Sequence, residues 1–155
     1  MAFIISGLPR SAFAPLFGLS ERELAAHGAV RRVADRRPGF PCRVSLRDAE
    51  IGESLLLLNY EHLAVDSPYR SRYAIFVREH AHEYCPRANE IPDVLTSRLL
   101  SVRAIDDAGM VLEADVVEGR QLAPLLDRML ENPKSAYLHL HNAKPGCFAA
   151  RADRA

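Results

Sequence analysis

Two histidines near the C-terminus alternate with leucines in the segment YLHLHN at positions 137–142. In a β-strand, successive side chains lie on opposite faces, so this pattern places His139 and His141 on one face with Tyr137 and turns the leucines toward the core. Imidazoles act as hydrogen-bond partners, proton carriers and metal ligands. The spacing therefore predicts one polar wall of a site on this strand.

Three interpretations of the histidine pair are open. Two imidazoles about 6.5–7 Å apart along a strand can converge on one divalent metal if another side chain completes the site. The candidates for that third ligand are His62, Glu61, Asp66 and Cys147. Alternatively, the pair lies on a semi-exposed face and bonds to its neighbours, or it contacts a ligand or moves protons in a pocket without metal.

A cysteine and an asparagine flank the turn that follows this segment. Asn142 precedes the turn and Cys147 follows it, after a Pro-Gly pair. A thiol beside an imidazolium can act as a nucleophile, whereas an unpaired cysteine is more often a small buried hydrophobe. Cys42, which lies between Pro41 and Arg43, presents the same two alternatives.

Polar residues also end a predicted central strand at positions 54–60. Tyr60 and His62 are expected on one face of its extension, with Asn59 and Glu61 on the other. Such groups either line a pocket or mark the rim of the sheet.

Arginine supplies almost all of the positive charge, with 18 arginines against two lysines. Genome composition produces such a bias, and so does recognition of carboxylate or phosphate, which a planar guanidinium binds through two parallel hydrogen bonds. Arg43 lies in a loop rich in proline and glycine, and Tyr69 and Arg70 follow a proline turn. These residues are the candidates for gripping an anion.

The overall charge balance disfavours two classes of partner. Twenty basic and twenty acidic residues give a net charge of zero, so we expect neither nucleic acid nor membrane as a partner. The charges are unevenly distributed, with six arginines and one acid at 31–47 and five acids without a base at 106–118. These runs are either solvated faces or complementary surfaces of a homodimer.

Neither the glycines nor the cysteines form a known catalytic signature. The sequence contains no dinucleotide fingerprint, phosphate loop, nucleophile elbow, His-Glu-x-x-His or Cys-x-x-Cys motif. Whether the protein is an enzyme is therefore left open. Three cysteines cannot all pair, no basic leader precedes the apolar start, and the longest aliphatic run is 55–58. We expect a cytoplasmic protein.

The elements that must position these residues indicate the α+β class. A capping box at Ser20 and Glu23 predicts a short helix, and apolar residues at 122, 125, 126, 129 and 130 predict another. The strand patterns number six or seven and include a hairpin formed by 99–105 and 110–117. Because strands and helices do not alternate regularly, we expect a single domain over 1–155 with a mostly antiparallel sheet and two or three short helices.

Segments that occur in order from end to end of the chain resemble a small bacterial family known only as a domain of unknown function, number 1203, and the resemblance spans the whole chain. The resemblance rests on GFPCRVSL at 39–46, LLLLNYEH at 55–62, SPYR at 67–70, IFVR at 75–78 and HLHNAKPGCFA at 139–149. The family implies no activity. It implies that the polar residues of these segments gather in one site, namely Arg43, Tyr60, His62, Tyr69, Arg70, His139, His141, Asn142 and Cys147.

The leading hypothesis is a pocket that binds a small anionic ligand, with histidines as its wall and Arg43 and Arg70 clamping negative charge. It requires His139 and His141 to share a cavity with Arg43. The second hypothesis is a metal-dependent enzyme, in which the two histidines and a third ligand hold a divalent metal cofactor. The third is a homo-oligomeric interaction module without a small-molecule site.

Overall fold

The computed structural model describes residues 1–155 and contains eight strands and three α-helices. The strands are β1 (Phe3–Ser6), β2 (Val30–Val33), β3 (Ser54–Leu63), β4 (Ser71–Arg78), β5 (Leu99–Ile105), β6 (Val111–Glu118), β7 (Tyr137–Asn142) and β8 (Phe148–Arg154). The helices are α1 (Glu21–Ala26), α2 (Asp93–Thr96) and α3 (Leu122–Glu131), with short 3-10 turns at Arg10–Ala12, Ala14–Leu16 and Gly119–Gln121.

The strands form two antiparallel sheets. The larger sheet has five strands in the order β1-β8-β7-β5-β6, and the smaller has three in the order β2-β3-β4. This arrangement confirms the α+β class, the antiparallel pairing and the hairpin of β5 and β6. The eighth strand is β8, which follows the Pro-Gly turn and pairs with both β1 and β7.

The larger core lies between α3 and one face of the five-stranded sheet. The predicted apolar stripe of α3 is buried there, together with Leu138 and Leu140 of β7 and Leu100 and Val102 of β5. Burial of these side chains removes apolar surface from water and orients β7. The alternation of β7 then turns its histidines to the opposite face of the sheet.

A smaller core holds the N-terminal segment against the three-stranded sheet. Leu56 and Leu58 of β3 pack there with Phe13 and with Leu24 of α1. The start of α1 is the predicted capping box. The hydroxyl of Ser20 accepts a hydrogen bond from the backbone amide of Glu23, and the carboxylate of Glu23 accepts one from the backbone amide of Ser20. None of the helices is long and apolar enough to cross a membrane.

Three polar contacts link the two sheets and their loops. Arg43 Nε donates to the carbonyl of Phe148 at 2.6 Å, from the loop at 39–47 to β8. Arg98, between α2 and β5, pairs with Asp48 at 2.6 Å. The hydroxyl of Ser67 donates to the carbonyl of residue 109 in the β5–β6 turn. These contacts hold the three-stranded sheet against the face of the five-stranded sheet that carries the histidines.

A β-bulge in β3 changes which polar residues share a face. The pairing of β3 with β4 shifts between Tyr60 and Leu63. Tyr60 consequently packs against Phe13, with ring centroids 5.6 Å apart, while His62 faces β7. The expectation that Tyr60 and His62 lie on one face is wrong, because a bulge inserts an extra residue and reverses the alternation that follows it.

Many charges in the two charged runs have partners within the chain. Arg31 pairs with Glu21 and Glu79. The other pairs are Arg36 with Asp35, Arg37 with Glu50, and Arg128 with both Glu113 and Asp115. Association of two copies through these runs stays a prediction.

Candidate functional site

Two separate cavities lie between the sheets. The larger, of about 670 Å³, is called the larger cleft and is lined by residues of β3, β4, β5, β6 and β7 and of the loops around 41 and 145. The smaller, of about 270 Å³, is called the histidine pocket and is lined by the ends of the same strands and by the loop at 68–70. No residue lines both cavities.

The nine candidate residues from the sequence are divided among the larger cleft, the histidine pocket and the smaller core. The larger cleft receives Arg43, Asn142 and Cys147. The histidine pocket receives His62, Tyr69, Arg70, His139 and His141. Tyr60 lines neither cavity, because it continues the alternation of Leu56 and Leu58 and packs against the smaller core.

The expectation that His139 and His141 share a cavity with Arg43 is wrong. Phe148 stands between them, because its ring centroid lies 5.0 and 5.9 Å from those of the two imidazoles while its carbonyl accepts the Arg43 Nε hydrogen bond. Sequence spacing could not show this separation, since the position of Phe148 depends on the register in which β8 pairs with β7.

Arg43 is a buried cation without a carboxylate partner. Its side chain is 2% exposed. It donates to the carbonyls of Phe148 and Pro41 and, from Nη2, to Cys147 Sγ at 2.9 Å. A guanidinium has five N–H donors, so two remain uncommitted in a residue that lines the larger cleft. Burial lowers the pKa of Arg43, yet a guanidinium keeps its charge in proteins.

Asn142 completes a buried polar group beside this arginine. Its Nδ2 donates to Cys147 Sγ at 3.5 Å, so the sulfur accepts from both Arg43 and Asn142. The other end of the amide, Oδ1, is buried and has no hydrogen-bond partner. Buried polar atoms are almost always partnered in folded proteins, so an acceptor without a partner at this position is unusual.

The remaining wall of the larger cleft combines apolar surface with charge at its mouth. Leu57 of β3, Phe76 of β4 and Leu99 of β5 supply the apolar surface. Lys144 is exposed at the mouth and has no ion-pair partner, whereas Arg98 is already paired with Asp48. Lys144 was not among the residues predicted for the site, although it lies inside the segment HLHNAKPGCFA that resembles the family.

Three imidazoles form the inner wall of the histidine pocket. The ring centroid of His62 lies 5.0 Å from that of His141 and 6.2 Å from that of His139, and the last two are 6.2 Å apart. His141 Nδ1 donates to the carbonyl of Gly146, and His62 Nε2 lies 3.0 Å from the hydroxyl of Ser71. His62 Nδ1 is buried without a partner, and none of the hydrogen bonds within the chain involves the ring of His139.

The three rings are neutral at neutral pH. Burial, followed by the neighbouring His141 and His62, lowers the pKa of His139 to about 3. Burial also lowers the pKa of His141 to about 4, with a smaller contribution from Arg103. The pKa of His62 is lowered by burial and by Arg103. Because His141 Nδ1 carries the hydrogen given to Gly146, its Nε2 presents a lone pair.

Arg103 of β5 is the positive charge of this pocket and was missed in the sequence analysis. It pairs across the sheet with His139, and its only hydrogen bond is a long one to the hydroxyl of Ser101. Arg70, by contrast, is bound to Glu61, which balances its charge. Ser101 and Arg103 alternate with apolar residues at 100, 102 and 104 in the predicted strand, and this pattern could have indicated Arg103.

No three His, Cys, Asp or Glu side chains are placed so that they could hold one metal ion. Arg103 lies in the same pocket as the imidazoles, where its positive charge opposes a cation. The geometry therefore lends no support to the metal-dependent hypothesis.

The fold and its cavities define an α+β protein of two packed sheets with polar cavities between them. A family model described as "Protein of unknown function (DUF1203)" matches residues 39–154. The chain belongs to this family, and the match includes all nine candidate residues and both cavities. No curated protein and no solved structure matches the chain.

Proposed function

We propose that the protein binds a small anionic molecule in the larger cleft, with Arg43 as the anchor. The observation that carries this proposal is a buried guanidinium that has no carboxylate partner and keeps two N–H groups uncommitted beside a cavity of about 670 Å³. A buried charge without an opposite charge is costly, and an anionic ligand would offset that cost.

The lining of the cleft indicates what the rest of the ligand is like. Leu57, Phe76 and Leu99 favour an apolar body, and the volume is typical of sites for small organic molecules. Lys144 adds a second positive charge at the mouth, and the exposed carboxylate of Glu118 also lines the cleft. An aromatic or aliphatic carboxylate or phosphate fits this combination.

Benzoate and benzyl alcohol form a matched pair of probes, because they share an apolar ring and differ in charge. We expect isothermal titration calorimetry to show benzoate binding at least about tenfold more tightly, since charged hydrogen bonds contribute about 1.5–3 kcal/mol. The two probes are compared at the same pH and ionic strength.

Two variants of exposed lysines locate the binding. Lys144→Met removes the charge at the mouth and is expected to weaken benzoate several-fold. Lys134→Met, which changes the other lysine and touches neither cavity, is expected to leave the affinity unchanged. Equal binding of benzoate and benzyl alcohol, or no response to millimolar benzoate, would contradict the proposal.

A further inference from the structure

The histidine pocket contains polar groups that the proposed function does not use. His139 is 4% exposed and lines the pocket, yet its ring makes no hydrogen bond within the chain. His62 Nδ1 is buried and without a partner. The ring nitrogens of His139 are not fully buried, so they are accessible to a molecule that enters the pocket.

The pocket offers both a cation and an acceptor to whatever enters it. Arg103 has no carboxylate partner and forms only a long hydrogen bond to Ser101. His141 has its Nδ1 hydrogen committed to the carbonyl of Gly146, so its Nε2 can only accept from a neutral ring. A ligand that satisfies both groups must carry negative charge and must also donate a hydrogen bond.

We propose that the histidine pocket is a second binding site that takes a small anion bearing a hydroxyl group. The anionic oxygens would accept from Arg103 and His139, and the hydroxyl would donate to His141 Nε2. Hydrogen phosphate and an α-hydroxy carboxylate share this chemistry. The volume of about 270 Å³ suits a ligand of this size and is much smaller than the larger cleft.

The surrounding charges favour an anion over a cation. Arg103 and the exposed Arg70 line the pocket, and Arg151 of β8 pairs across the sheet with His139. Arg70 is balanced by Glu61 and Arg151 by Asp153. Arg103 is therefore the one arginine of this group without an acidic partner.

Hydrogen phosphate and sulfate test the hydroxyl requirement directly. Both are doubly charged tetrahedral anions at pH 7.5, but only hydrogen phosphate carries a proton to donate. In calorimetric titrations of the full chain at that pH, in a buffer without phosphate, we expect hydrogen phosphate to bind at least tenfold more tightly than sulfate. Glycolate and acetate provide the same comparison for carboxylates. Whichever of hydrogen phosphate and glycolate binds more tightly identifies the ligand as a phosphate or as an α-hydroxy carboxylate.

The site of binding is established by variants and by a spectroscopic readout. Arg103→Met is expected to abolish binding of hydrogen phosphate, whereas Lys134→Met, which touches neither cavity, should leave it unchanged. Nitrogen NMR of the unmodified protein should show the Nε2 resonance of His141 moving upfield when hydrogen phosphate is added. This second measurement does not depend on a variant that folds.

Four results would overturn the proposal. They are sulfate binding as tightly as hydrogen phosphate, no binding of any of the four anions, phosphate binding that survives Arg103→Met, and loss of phosphate binding in Lys144→Met, which would place the anion in the larger cleft. Benzoate binding is measured separately, so failure here and failure of the proposed function are distinguishable.

Discussion

Arg43 is a buried residue that both connects distant parts of the chain and lines the larger cleft. Its three hydrogen bonds connect the loop at 39–47 to β8 and to the sulfur of Cys147. The same side chain lines the larger cleft and keeps two N–H groups without a partner in the chain. An arginine suits this position better than a lysine, because a guanidinium presents five donors in a fixed plane.

Replacement of Arg43 by methionine should strongly destabilise the fold. The change leaves the carbonyls of Phe148 and Pro41 without their donor, and each buried acceptor left unpaired costs about 1–3 kcal/mol. We expect chemical denaturation to show a loss of about 2–6 kcal/mol. Arg47→Met is the matched control, because Arg47 is exposed in the same loop and should change stability by less than about 0.5 kcal/mol. Equal effects of the two variants would contradict this role of Arg43.

At the scale of the elements, β7 serves the core and both cavities. Its leucines pack under α3, and its histidines line the histidine pocket on the opposite face. Its last residue, Asn142, reaches the larger cleft. The position of this strand therefore depends on the packing of α3, which lies on the side of the sheet away from the cavities.

Truncation of the α3 stripe should lower stability without changing the two cavities. Leu126 is fully buried in the larger core, and a buried leucine changed to alanine costs about 2–5 kcal/mol. We expect Leu126→Ala to lose that much in denaturant unfolding while the folded protein keeps its affinity for benzoate. Glu131→Ala, at the exposed end of the same helix, should have little effect. A large loss of affinity in folded Leu126→Ala would show that α3 controls the cleft.

At the scale of the whole molecule, packing of the two sheets buries three histidines together. The pKa of His139 falls to about 3 and that of His141 to about 4, against about 6.5 in an unfolded chain. Between pH 6.5 and about 4 the unfolded chain therefore binds protons that the folded protein does not. Stability must rise with pH across that window and become independent of these rings above it.

Acid should therefore destabilise the protein well above the range in which carboxylates titrate. Each ring weakens the fold by at most about 1.4 kcal/mol per pH unit as pH falls below 6.5. The carboxylate of Glu79, whose pKa its hydrogen bond with Arg31 lowers to about 2, adds a further loss only below about pH 4.5. Denaturant unfolding from pH 8 to 5 measures the effect. His139→Gln should flatten the slope and His27→Asn, at an exposed position, should preserve it; the same slope in all three proteins would contradict the assignment.

The sequence by itself determined most of the elements and the residue types of the sites. The stripe of α3, the capping box of α1 and the alternation of β7 are local patterns, and each depends on neighbours within a few residues along the chain. Local periodicity predicts on which face of a helix or strand a side chain lies. For this reason the paired histidines and the leucines opposite them were predictable.

Only the tertiary structure decided how the site residues are grouped. The bulge in β3 separates Tyr60 from His62, and Phe148 separates Arg43 from the histidines. Arg103 enters the histidine pocket because β5 pairs with β7 in one particular register. Register and sheet packing arise from contacts between residues far apart in the chain, which local spacing does not encode. The single predicted pocket is therefore two cavities in the folded protein.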